Sequence, residues 1–175
     1  MKQVALLRGI NVSGKNKIRM ADLKALFESL GCDSVSTYLQ SGNVVFESTR
    51  SLPAKEIEKA IDDQMGLEVP VLTFPASSLK FIDKKNPFLI KGEADPGHCY
   101  VTFLWETPSE QSVSSIAIPN KETGSFSMGE DIIYVHCPDG YGRTKIHTGF
   151  FEKKLNQFAT TRNWKTIQAL LDLSS

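Results

Sequence analysis

Residues 35–47, VSTYLQSGNVVFE, hold two short β-rich runs, Val35 to Leu39 and Asn43 to Glu47, around the turn formers Gln40, Ser41 and Gly42. The glycine supplies the positive φ that a tight hairpin needs, so the stretch reads as two antiparallel strands. On its amino-terminal side, Leu23, Leu26, Phe27 and Leu30 recur at i, i+3, i+4 and i+7, which predicts a helix over 20–30 ended by Gly31. Before that, residues 3–9 (QVALLRG) predict a strand apolar on both faces. After the hairpin, Ser51 reads as the cap of a second helix with Pro53 in its first turn and Ile57, Ile61 and Met65 on its stripe, stopped by Gly66. A strand from Val69 to Phe74 follows. The order β-α-β-β-α-β is the split βαβ, ferredoxin-like arrangement.

The rest of the chain nearly repeats that order. A helix is expected near Ser77 to Lys84, a strand at His98 to Trp105, and a helix opened by a capping box at Thr107, Pro108 and Glu110. A hairpin follows, Ser125 to Met128 and Ile132 to Cys137 turned by Gly129-Glu130, then helices at Thr144 to Leu155 and Asn163 to Leu173. Residues 85–97 (KNPFLIKGEADPG) read as a linker, being rich in Pro and Gly between periodic stretches. The expectation is an α+β protein of two ferredoxin-like halves in tandem, residues 1–84 and 85–175, with mainly antiparallel sheets and helices packed on one face.

Composition narrows the function classes. Twenty basic and twenty acidic side chains cancel, so there is no whole-molecule field to gather nucleic acid or anionic lipid, and any anion site must be local. The apolar run Val4 to Leu7 is far short of the roughly 7–15 residues of a signal h-region, and no segment approaches the ~20 apolar residues of a membrane span. Cys32, Cys99 and Cys137 are odd in number and without a Cys-x-x-Cys pair, which points to a reducing, cytoplasmic setting and away from disulfides or structural zinc. His98, His136 and His147 show no metal-ligand spacing, so no metal site is expected. Asp139, Glu47 and Glu152 are the carboxylates nearest the polar loops, but no spacing singles out an acid and base pair.

The loops carry the chemistry. Residues 8–17, RGINVSGKNK, leave a buried strand and enter a helix. Gly9 and Gly14-Lys15 fit the Gly-x-x-x-x-Gly-Lys spacing of a phosphate-cradling P-loop, but Asn16 stands where a Ser or Thr should hold Mg²⁺, and a P-loop belongs in a parallel sheet. The weaker reading keeps a locally positive end: residues 1–24 hold Lys2, Arg8, Lys15, Lys17, Arg19 and Lys24 against the single acid Asp22, beside a helix amino terminus. The plain alternative is a set of solvated cations on a turn shaped by its glycines.

In a βαββαβ unit the first loop and the central hairpin lie at the same sheet end, so Gln40, Ser41 and Asn43 are expected beside Arg8, Asn11 and Lys15, with amides suited to a base or sugar edge. Equally, Gln40 to Asn43 is an ordinary hairpin turn. A third loop, residues 138–145, brings Arg143 and Lys145 to the entrance of a helix, with Thr144 as a possible N-cap. A fourth stretch, residues 159–165, offers Arg162 and Asn163, while Trp164 in register with Ile167 and Leu171 reads as core.

These segments, LLRGINVSGKNKIRM, TYLQSGNVVF, NPF, YVHCPDGYGRTKI and FATTRNWKTIQALL, resemble in order and spacing the DUF1697 family, uncharacterised bacterial proteins with an LLRGINVGGKNK-like amino-terminal motif. The resemblance spans essentially the whole chain and implies a two-part α+β assembly with no established activity or ligand. It marks Arg8, Asn11, Lys15, Asn16, Lys17, Gln40, Ser41, Asn43, Arg143, Lys145, Arg162 and Asn163. Ser13 and Thr144 depart from it, where members typically have Gly-Gly-Lys-Asn-Lys and Gly-Arg-Ser-Lys. The expected function is binding of a phosphate-bearing ligand, a nucleotide or a short nucleic acid, through the basic loops. An enzyme clamping a small anionic metabolite between the halves, or a protein-interaction module, are the alternatives. Cofactor and oligomeric state stay unspecified.

Overall fold

The computed structural model describes residues 1–175, which form eight strands and seven helices. Two compact units divide the chain: Met1–Phe81 with Ala169–Ser175, and Ile82–Gln168. Unit 1 runs β1 (Lys2–Leu7), α1 (Met20–Ser29), β2 (Asp33–Tyr38), β3 (Asn43–Glu47), α2 (Ala54–Met65) and β4 (Val71–Pro75). Its sheet is antiparallel in the order β2-β3-β1-β4, the ferredoxin-like arrangement.

Strand alternation explains where the helices go. Ala5, Leu7, Val44, Phe46 and Val71 share one face, and α1 and α2 cover it with Leu23, Leu26, Phe27, Ile57, Ala60 and Ile61. The Phe27 and Phe46 rings meet at 5.0 Å. Val4 and Leu6 on the opposite face are equally buried, so β1 is apolar on both sides as its sequence requires.

After α3 (Ser78–Lys85) and the four-residue α4 (Pro87–Ile90), unit 2 repeats the order with β5 (Cys99–Leu104), α5 (Glu110–Ser114), β6 (Ser125–Met128), β7 (Ile132–His136), α6 (Thr148–Leu155) and β8 (Ala159–Asn163), followed by α7 (Trp164–Leu173). The sheet order β6-β7-β5-β8 matches that of unit 1 strand for strand. Leu104, Ile133, Val135, Phe151 and Ala159 form its core, with Phe126 packed edge-on against Phe151 at 5.2 Å. Trp164 is buried, in keeping with its register.

The structure corrects several local expectations. The sequence reading misses β8 entirely, because ATTRN is short and polar, yet it pairs with β5 along its whole length. Ser51 caps nothing; Pro53 holds the N-cap position of α2 and no side chain caps it. Ser109, not Thr107, caps α5 by accepting from the Ser112 N–H. The expected linker carries α4 and a 3-10 turn at Pro96–His98, with buried Asn86 accepting from the Phe88 N–H. A helix expected from Thr144 starts at Thr148, where His147 is the cap.

One turn sets the register of unit 1. Gly42 has φ of 83°, and a Cβ added there would lie 2.7 Å from Leu7 Cβ and 2.8 Å from Ile10 Cδ1. Gly42→Ala combines left-handed strain with overpacking and is expected to lower the unfolding free energy by about 2–4 kcal/mol. Gly31 has φ of 79° but open space, so Gly31→Ala should cost only about 1 kcal/mol when the two variants are compared by urea titration. Equal losses for the two variants would refute the steric account of Gly42.

Candidate functional site

β1 ends at Leu7, whose N–H donates to the Gly42 carbonyl, and the Arg8 N–H donates to the Pro70 carbonyl. The loop then folds on itself: the Asn11 N–H donates to the Asn16 carbonyl and the Lys15 N–H to the Val12 carbonyl. Gly9, Asn11, Ser13, Gly14 and Asn16 all have positive φ, which explains the Asn and Gly content of the stretch by turn chemistry. The Asn11 and Lys15 N–H groups face loop carbonyls and are not turned out to cradle a phosphate, so no P-loop forms.

Asn11 ties this loop to the hairpin. Its Nδ2 donates to the carbonyls of Ile18 (2.9 Å) and Gln40 (2.8 Å), while its Oδ1 accepts from the Ile18 N–H at 2.9 Å. Both amide hydrogens are used, so Asn11 is a wall rather than a ligand group. Asn16 is spent similarly, donating to the Gly9 carbonyl. Asn43 is fully buried and donates to the Tyr38 carbonyl and to Ser41 Oγ, which makes both residues part of the hairpin's own framework.

The join between loop and hairpin leaves an open depression of about 430 Å³ lined by Asn11, Gly14, Lys17, Ile18, Arg19 and Gln40. Lys15 and Lys17 are exposed with no side-chain partner. Arg19 is engaged: its Nε and Nη2 donate to Asp22 at 2.8 and 3.1 Å, and that carboxylate raises its pKa. Arg19, which lines the depression, is also the N-cap of α1, and no side chain caps the helix, so its first N–H groups lack a side-chain partner, with the Asp22 carboxylate in the same first turn. Arg8 is half-buried at the foot of the loop.

In unit 2 the third loop is pinned from several sides. The Glu122 carboxylate accepts from the N–H groups of Gly124 (2.7 Å) and Lys145 (2.6 Å) and from Thr144 Oγ1 at 3.1 Å. Partial desolvation pushes its pKa up, but these donors and the Lys145 charge outweigh it and hold the carboxyl below its ordinary value. Lys145 Nζ donates to the Asn120 carbonyl. Among the loop's cations Arg143 alone is exposed without a partner.

Tyr141 anchors the same turn through a run of hydroxyls that no sequence motif marked. Its Oη accepts from the Thr148 N–H and lies 2.9 Å from Thr148 Oγ1. Thr148 Oγ1 lies 2.6 Å from Thr161 Oγ1, which is 2.8 Å from buried Thr102 Oγ1. The Tyr141 ring also rests 4.7 Å from that of Tyr100, the register partner of Asn163, so Arg143 and Asn163 belong to one end of this sheet.

Arg162 differs from the loop cation expected of it. It sits in β8, alternates to the face opposite Thr161, is buried, and donates from Nη1 to Thr160 Oγ1 and the Thr161 carbonyl. Burial pushes its pKa down to about 10. Asn163 Oδ1 accepts from the Thr166 N–H at the start of α7. The thiols of Cys99 and Cys137 are buried, which raises their pKa values, that of Cys99 to about 11, so neither is poised as a nucleophile. No group of three His, Cys, Asp or Glu side chains could hold a metal, and no helix is long and apolar enough to cross a membrane.

Residues 1–134 match the model of a family described as protein of unknown function, DUF1697. No curated protein matches. Among solved structures, the conserved bacterial protein SP0830 from Streptococcus pneumoniae is similar at a TM-score of 0.73 and 22% identity, over 99% of this chain and 98% of that one. At that identity the likeness shows the fold alone.

The Glu122 clamp makes a pH prediction. A carboxyl whose pKa is depressed on folding contributes stability above its unfolded value and loses it as pH falls through the folded one. The Lys145 amide resonance should therefore titrate with a midpoint below the ordinary 4.5, and Glu122→Gln should abolish the titration. A midpoint at or above that value would mean the carboxylate is not clamped.

Proposed function

The chain belongs to the DUF1697 family, whose members are described only as proteins of unknown function, and we propose that it binds a phosphate-bearing ligand at the first loop of unit 1. The observation that carries this reading is the depression at the join of loop and hairpin, where the unpartnered Lys17 ammonium stands beside the uncapped amino end of α1. Open N–H groups at a helix start act as roughly half a positive charge, and with an ammonium next to them they favour an anion over water. Gly14 lines the same depression, so backbone approaches it without a side chain in the way.

Lys15 adds to the positive character of this end, while Arg19 contributes less because Asp22 already holds it. The Asn11 and Asn43 amides and the Ser41 hydroxyl are framework rather than contacts, which leaves Lys17 and the α1 N–H groups as the phosphate-contacting set. In unit 2 the equivalent role falls to Arg143, held out on a turn whose other polar groups are engaged.

Pyrophosphate is a direct probe. Its addition should shift the amide resonances of Met20, Ala21 and Asp22 saturably, with affinity falling as salt is raised. Lys17→Ala removes one charge-assisted contact and should weaken binding about tenfold or more. Unmoved amides at millimolar pyrophosphate, or equal affinity in wild type and variant, would refute the site.

A further inference from the structure

We infer that the ligand of the unit 1 depression is a nucleoside monophosphate and that the Gln40 side-chain amide reads its base, an inference that rests on the phosphate site proposed above. The depression, about 430 Å³, lies in the roughly 300–1,000 Å³ range of small-molecule sites and exceeds what one phosphate group fills. Its lining separates into three chemistries. Lys17 offers a cation, Ile18 contributes buried apolar surface at the floor, and Gln40 offers an exposed amide with no partner inside the protein. A phosphate ion would use only the first.

Neighbours in sequence of two lining residues add exposed apolar surface. Val12 follows Asn11, Leu39 precedes Gln40, and the Asn11 to Gln40 hydrogen bond joins the two strands of chain between them. Both apolar side chains are exposed, Val12 by 58% and Leu39 by 54%. The unpartnered amide gives a flat ring a donor and acceptor pair for its edge, and these exposed apolar side chains stand next in sequence to lining residues. A polynucleotide, by contrast, needs a track of cations, and here Arg19 is bound to Asp22 while the chain as a whole is neutral.

Gln40 can be tested without disturbing the wall, because Asn11 holds its backbone carbonyl and not its side chain. The four nucleoside 5′-monophosphates, inorganic phosphate and a single-stranded hexanucleotide are titrated into wild type, Lys17→Ala and Gln40→Ala, following the Ile18 methyl and the α1 amides. At least one monophosphate should bind tenfold or more tightly than phosphate and shift the Ile18 methyl. Gln40→Ala should remove that advantage while leaving phosphate affinity unchanged, and Lys17→Ala should weaken both. If phosphate binds but no monophosphate binds better, or Gln40→Ala has no effect, the inference fails and the phosphate site stands. Tighter hexanucleotide binding, with a salt slope of about −0.7 per phosphate over several phosphates, also overturns it. If nothing shifts the α1 amides, both readings fall together.

Discussion

The amino-terminal unit depends on one side chain using every hydrogen-bonding atom it has. Asn11 spends both amide hydrogens on the Ile18 and Gln40 carbonyls and its oxygen on the Ile18 N–H, binding the loop after β1 to the hairpin between β2 and β3. Each such bond is worth about 0.5–1.5 kcal/mol net. That sum is of the same order as the left-handed strain carried by Asn11, Ser13 and Asn16, so the polar contacts offset the strain while buried Ile10 and Ile18 anchor the loop in the core. The antiparallel order of the sheet makes the join possible, since it brings both chain reversals to one end.

Unit 2 has the same strand order and solves a similar problem with different chemistry. Its long loop lies between β7 and α6, where Glu122 gathers two backbone N–H groups and a hydroxyl, and where Tyr141 is fixed by Thr148, Thr161 and Thr102. These contacts pin the turn from which the exposed Arg143 projects. Arg162, one strand away, has become interior structure.

Much of the architecture was legible because it rests on periodicity and turn residues. The Leu23, Leu26, Phe27 stripe, the doubly apolar β1 and the Gly42 hairpin all appear where those patterns place them. β8 was not legible: Thr160 and Arg162 look like a polar loop, and only pairing with β5 makes them a strand. Helix starts were misread because a Ser or Thr near a start need not be its cap: Ser109 rather than Thr107 caps α5, His147 caps α6, and no side chain caps α2. At the site, the nearness of Asn11 and Gln40 followed from topology alone. Which amides are spent inside the fold did not, because Asn11, Asn16 and Asn43 resemble ligand contacts until their hydrogen bonds are counted. The Tyr141 hydroxyl run is made of residues far apart in sequence with no spacing to betray them.

The central claim is that Asn11 holds the loop and hairpin together as one surface. Native-state hydrogen exchange at the Ile18 amide, whose N–H donates to Asn11 Oδ1, measures this directly. The account predicts strong protection in the wild type that is lost in Asn11→Ala, while the β1 and β3 amides stay protected. An Ile18 amide that exchanges as freely as an open loop in the wild type, or one equally protected in the variant, would contradict it.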